Sequence, residues 1–348
     1  APNPCIRSSM VGDRHASSRL AIFVARVHSL ITPAATEAAR MSITTSNEET
    51  TRAAHKIHAA RKIGAEVNFG EVNEGKSDFD AIYNAPDPRG YCRALGKLDY
   101  RIPSEAKPIF RSLIHALQSG RHDPVHIVDI GCSYGINAAL LKYGMNLSTF
   151  FKRYTASGVP VLPDEMLRRE TDFFDDRNSD GAIEVVGIDV SGHALDFART
   201  VGLLDHTIEQ NLEDRPLTDA NRDLVDGVDL IISTGCVGYV SDKTFRHVMD
   251  AAGDDNRAPY VASFVLRMFP YAPIANALSD YGLVTEKLQD VTFRQRRFEN
   301  EDERAHVFEQ LRARGLEPSF EDDGYYHAEF FLSRPAAEAK ARPLGYLL

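Results

Sequence analysis

The sequence predicts an α/β protein with a buried, mostly parallel sheet, and three stretches carry that prediction. Residues 125–130 (Val-His-Ile-Val-Asp-Ile) are a short β-branched run suited to a strand covered on both faces. Small residues follow from Gly131 to Gly135, and Asn137 to Tyr143 is built of good helix formers. Residues 183–191 repeat the pattern: an apolar run closed by Asp189, then Ser191 placed to cap a helix. Residues 228–240 do so again, with Asp229 leading Leu230-Ile231-Ile232-Ser233 into Thr234-Gly235-Cys236 and a helix expected from Asp242. Strand, small-residue turn and helix in succession bring backbone up to a ligand. Glycine leaves no side chain in the way, and a helix start offers free N–H groups.

The other elements follow in order. Residues 1–40 carry five arginines against two acids, as a transit peptide does, while Met41 looks like a natural start that would make them an extension. We expect a poorly packed extension there, with a short helix at 20–30, then a helix over 48–65 and a loop over 68–78. Pro86, Pro88 and Gly90 break the chain in a stretch where Tyr83, Tyr91 and Tyr100 surround Asp87 and Arg89. Such a stretch suits a lid over a small ligand, or equally an anchor for an N-terminal helical layer. Ile109, Phe110, Leu113, Ile114 and Leu117 stripe a helix from about Ser104 to Ser119, closed by Gly120. Residues 145–182 are too long for a plain connection and read as an insertion with helices at 145–154 and 164–175. A third strand and its loop lie near 208–214, and a fifth strand at 258–269 ends in Arg267, Met268, Phe269, Pro270 and Tyr271. A helix at 300–314 and a closing strand at 325–333 complete the chain. Arg294, Arg296 and Arg297 have Glu299, Glu301, Asp302 and Glu303 as nearby partners.

Composition narrows the function. The 348 residues carry a net charge of −10 with no basic stripe, which disfavours nucleic acid as substrate. No apolar run is long enough to span a bilayer. The four cysteines lack metal-like spacing and disulfide density, so they read as reduced thiols of a cytoplasmic protein, and no metal is expected.

The run Asp129-x-Gly131-x-x-x-Gly135 is not the Gly-x-Gly-x-x-Gly of dinucleotide folds: an acid closes the strand and Ser133 stands where the central glycine would be. An acid there repels a pyrophosphate but organises an ammonium group. The run resembles motif I of the class I S-adenosylmethionine-dependent methyltransferases. Asp189 resembles the ribose-binding acid of that family. Sixty residues separate it from Asp129 rather than about 20, and the insertion accounts for the excess. Residues 229–239 resemble motif IV. The resemblance covers about residues 120–335. It implies a Rossmann-like, seven-stranded, mostly parallel sheet with helices on both faces and one antiparallel strand near the end. It also implies an N-terminal helical cap over 41–120 and a methyltransferase domain over 121–348.

S-adenosylmethionine is the implied cofactor. The implied contacts are Asp129, Gly131, Cys132, Ser133, Gly135, Asp189, Val190, Asn211, Leu212, Thr234 and Gly235. Tyr91, Tyr100, Arg267, Phe269 and Tyr271 are candidates for the substrate side, and His327, Tyr239 and Tyr91 for a base if one is needed. Cys236 lines such a site or is simply a small buried thiol. No Asn/Asp-Pro-Pro-Tyr run occurs at 233–236, which points to O-, C- or N-methylation of a small molecule. A cofactor-binding but inactive partner subunit, an NAD-dependent reductase and an aminopropyltransferase are the alternatives. The acceptor and the oligomeric state are not readable.

Overall fold

The computed structural model describes residues 80–160, 162–177, 181–253 and 258–348. Expectations for 1–40, the helix at 48–65 and the loop at 68–78 lie outside the described residues. The chain divides into two units, 1–67 and 68–348, and the sheet with its helices belongs to the second.

Short helix α1 (Asp80–Tyr83) leads to α2 (Arg89–Lys97) and α3 (Ile102–Gln118). Gly90 and Tyr91, expected in broken chain, lie inside α2. Pro88 stands just before the helix, where its missing N–H costs nothing, and Tyr91, Cys92 and Leu95 supply a buried stripe. Likewise α3 starts two residues earlier than Ser104, with Pro103 in its first turn, and runs through Pro108. Seven of its side chains are buried, enough packing to hold a helix that lacks one backbone hydrogen bond.

Strand β1 (Val125–Ile130) turns into α4 (Ile136–Lys142). The insertion then supplies α5 (Leu147–Thr155) and α6 (Pro163–Asp175). Its two helices are joined by Glu170, which is fully buried and accepts from Arg153 Nε at 2.6 Å and the Tyr154 hydroxyl at 2.9 Å. Next come β2 (Ile183–Asp189), α7 (Gly192–Thr200), β3 (His206–Glu209), α8 (Asp219–Arg222), β4 (Leu230–Thr234) and α9 (Asp242–Met249). Ser191 caps α7 as expected, its hydroxyl accepting from the Ala194 N–H. The chain closes with β5 (Tyr260–Leu266), α10 (Ala272–Ser279), β6 (Leu283–Lys287), β7 (Phe293–Arg297), α11 (Glu301–Ala313), β8 (Tyr325–Pro335), α12 (Ala336–Ala341) and α13 (Leu344–Leu347).

The sheet order is β3-β2-β1-β4-β5-β8-β6, with β7 also on β8. Strands β3, β2, β1, β4 and β5 are mutually parallel, and β8 runs antiparallel to β5. Eight strands stand where seven were expected because the last edge is broken. β6 pairs with residues 331–335 of β8 and β7 with 325–328, in the same direction along one edge. On its other side, β7 meets the chain before α3: Arg101 N–H donates to the Gln295 carbonyl at 2.6 Å and Arg297 N–H to that of Leu98 at 2.7 Å. Asp229 ties the amino ends of β1 and β4 together, accepting from the His126 N–H and Arg121. β5 is buried at every position, as a central strand covered on both faces must be. Among the described residues, no helix is long and apolar enough to cross a membrane.

Candidate functional site

The carboxyl ends of β1, β2 and β4 meet at one turn. Gly131, Ser133 and Gly135 all have positive φ (71°, 50° and 72°), which reverses the chain within five residues and starts α4. A Cβ on Gly131 would stand 2.7 Å from that of Cys236, and one on Gly135 3.2 Å from those of Ala198 and Leu203. Both glycines therefore answer first to the packing of the protein on itself. Cys236 is the small thiol that fills this gap, and burial pushes it up to about 12. Ser133 is the non-glycine of the three. Its N–H donates to Asp189 Oδ2 at 2.9 Å, while its hydroxyl is buried without a partner among the described residues. Asp189 Oδ1 takes the Ser191 N–H at 3.0 Å, so this carboxylate joins the two turns.

Asp129 is fully buried. Asn137, in the first turn of α4, donates to both its oxygens at 3.2 Å and to Thr234 Oγ1 at 3.1 Å. Burial pushes the Asp129 carboxyl up to about 7. The bond from Asn137 opposes the shift, and the charge of Asp189 adds to it.

The chain from α1 to α2 straps across both turns. The Tyr134 hydroxyl lies 2.8 Å from the carbonyls of Ile82 and Ala85, and Ser191 Oγ donates to that of Tyr83 at 2.7 Å. Tyr91 is buried at the hub of the aromatic cluster, edge-on to Tyr83, Tyr100, Tyr134 and Phe151. Tyr83 and Tyr100 keep partial exposure, as side chains lining a concavity do. Burial raises both hydroxyls, that of Tyr100 to about 12. The bond from Tyr91 opposes the Tyr100 shift, and the charges of Asp129 and Cys236 add to it. At Tyr83, Tyr100 and Tyr239 add to the burial effect and Arg296 opposes it.

Two residues of β7 belong to this region: Gln295 escaped the sequence reading, while Arg296 takes one of the acidic partners expected for it. The Gln295 amide lies against Gly235, where a Cβ would come within 2.7 Å of Nε2, and its Oε1 is buried without a partner among the described residues. Arg296 is held by both oxygens of Glu303 at 2.7 and 3.0 Å, over the ring of Tyr326. The two-residue spacing from Phe293, which puts Gln295 on the same face, was the available signal. It says which face Gln295 takes, but not that β7 reaches the end of β4.

The remaining candidates scatter. Cys132 is buried against Gly187, and Val190 is 66% exposed. Asn211 folds onto its own loop, donating to Asp214 and accepting from the Glu213 N–H, while Leu212 is buried with its carbonyl against His247. Glu213 is taken up by Ser241 and Thr244 at the start of α9. Arg267 is buried on Glu321, Phe269 against Gly238, and Tyr271 on Ser263 and Phe331. Both ring nitrogens of His327 are engaged, by Thr292 at 2.8 Å and Asp323 at 3.1 Å. Tyr239, 62% exposed, is the most accessible of the three candidate bases.

No protein-family model matches the chain, and no curated protein does. Among solved structures it is similar to a TehB-like SAM-dependent methyltransferase from Corynebacterium glutamicum, at 14% identity over 63% of this chain and 86% of that one, with a TM-score of 0.30. It is also similar to the plantazolicin methyltransferase BpumL solved with an analogue and SAH, at 10% identity over 77% and 97%, with a TM-score of 0.37. A third is the precorrin-6y C5,15-methyltransferase of Geobacter metallireducens, at 10% identity over 67% and 88%, with a TM-score of 0.32. The fold assignment rests on strand order and register rather than on these likenesses. Five parallel strands in the order 3-2-1-4-5, followed by one antiparallel strand and a broken edge, make a Rossmann-like sheet.

Proposed function

We propose that the chain is an S-adenosylmethionine-dependent methyltransferase acting on a small-molecule acceptor. The observation that carries this reading is the convergence of Asp129, Asp189 and the left-handed Gly131–Gly135 turn at adjacent strand ends, beneath the tyrosine strap. The chemistry of the donor set fits the cofactor. A buried carboxyl pushed to about 7 is relieved by a cation nearby, and Asp189 spends only one lone pair of each oxygen on backbone N–H groups, leaving others for a diol.

In this reading the turn from Gly131 through Cys132 and Ser133 to Gly135, backed by Asp129, holds the amino-acid end. Asp189 and Val190 hold the ribose, and Asn211 and Leu212 border the adenine. Thr234 and Gly235 lie beside the group to be transferred. The cofactor supplies a methyl group already activated on a sulfonium. The protein's part is alignment and exclusion of water, and alignment contributes roughly 7–11 kcal/mol in favourable cases. Tyr83 and Tyr100, their hydroxyls raised by burial, stay protonated and orient an acceptor through hydrogen bonds rather than taking its proton.

Calorimetry with S-adenosylhomocysteine tests the cofactor, and a mass-shift screen of a metabolite mixture with S-adenosylmethionine tests the transfer. Asp189→Ala is expected to weaken binding by about 1–3 kcal/mol, the cost of leaving the ribose hydroxyls unmatched. Unchanged affinity in a folded variant would sink the assignment.

A further inference from the structure

We infer that the groove bounded by α2, α5 and the start of α3 is a binding site for a small anionic molecule, and that the methyl acceptor carries its anionic group there. The groove has a volume of about 760 Å³, within the range of roughly 300–1,000 Å³ typical of small-molecule sites. Its outer wall carries Arg93, Lys97 and Lys152, all exposed and none in an ion pair among the described residues. A fourth cation, Arg101, is matched by Asp99 at 3.3 Å, and Asp99 is further occupied by the Tyr325 hydroxyl. The other acid of the lining is Glu105, so four cations face two acids in the groove.

The result is a positive concavity on a chain of net charge −10. Field lines focus in such a cleft, while the acidic remainder of the surface repels an extended polyanion. The occupant this favours is a compact carboxylate or phosphate ester rather than a nucleic acid. Tyr100 and Phe151 also line the groove, with parallel rings and centroids 6.5 Å apart. Tyr100 also packs edge-on against Tyr91, 6.2 Å between centroids, and Tyr91 in turn packs against Tyr134 of the strand-end turn. The Tyr100 ring therefore connects the groove to the strand-end site. An acceptor lying along the groove presents its reacting atom past Tyr100 and its charge to Lys97 and Lys152. The orientation rests on the methyl-transfer reading; the anion preference does not.

The test uses matched probes on the full chain: benzoate with benzamide, phenylacetate with phenylacetamide, and succinate with succinamide. Binding is read by ligand-observed NMR at physiological salt, for the wild type and for the double variant Lys97→Glu/Lys152→Glu. The carboxylates are expected to bind in preference to their amides. The double variant should weaken them by about five- to tenfold, as two reversed exposed charges would, and leave the amides unchanged. Equal binding within each pair, a preference that survives the double variant, or no binding by any probe overturns the inference. S-adenosylhomocysteine is titrated into the same samples. Loss of its binding alone removes the methyltransferase reading and the orientation while leaving the anion site standing.

Discussion

Asp129 sets the terms at the scale of single residues. Its folded carboxyl titrates near 7 against a usual value of 3.8, with burial as the main cause. The folded state therefore holds that proton more tightly than the unfolded chain does. The stabilisation this gives is complete below about pH 4 and is lost as pH rises through about 7. Asp129→Asn cannot ionise and should not lose it. Relative to the wild type, the variant is expected to gain stability from pH 5 to pH 8, by on the order of 2 kcal/mol, while its affinity for S-adenosylhomocysteine falls. Denaturant midpoints at the two pH values check the first part and calorimetry the second; a stability difference that does not change with pH would show that Asp129 carries no such shift. Asp129 and Asp189 were legible in the sequence because a strand end is a local feature: an acid closing an apolar run marks itself. Gln295 was not, because its place beside Gly235 depends on β7 crossing to the end of β4. Arg267, Tyr271 and His327 stood at a strand end that was read correctly, yet Glu321, Ser263 and Asp323 take up their polar groups. Sequence position gives the edge of the sheet, not which side chains turn back into it.

Among the elements, the segment from α1 to α2 shows where local rules stop. Two prolines and a glycine mark a break, and a break does occur over residues 84–88, but α2 begins directly behind Pro88 because its apolar stripe has a core to enter. The strap is then fixed by hydroxyls on the two strand-end turns, from Tyr134 and Ser191. Tyr134→Phe keeps the buried ring and its contacts with Tyr91 and Phe197 while removing the hydroxyl. The expected cost is about 1 kcal/mol, borne locally. Amide exchange should quicken across 82–86 and α1 while the amides of β1 stay protected. Unchanged exchange in the strap would mean that ring packing and Ser191 hold it without the Tyr134 hydroxyl. The broken edge of β6 and β7 is the other place where local rules stop. Both halves are extended, and the shift in pairing along β8 appears only when the partner strand is in place.

For the whole molecule, the order of alternating strands and helices was enough to give the sheet, since parallel connections leave few arrangements open once their order is known. The extent of the folding unit is a separate question, and truncation tests it. The eight strands of the described residues and the buried cluster from Tyr91 to Leu347 lie within 68–348. The turn at Gly131–Gly135, the strap over it and the groove lined by Arg93 and Lys152 lie there too. A polypeptide beginning at Asn68 therefore contains both the contacts that hold the sheet and those that line the site. It is expected to unfold cooperatively at nearly the temperature of the full chain and to bind S-adenosylhomocysteine with the same affinity. In a chain of this size about 1 kcal/mol corresponds to roughly 2–4 °C, so a drop in melting temperature well beyond 4 °C would show that residues 1–67 stabilise the sheet. Unchanged melting with weakened binding would be a different result. It would show that residues 1–67 contribute to ligand binding.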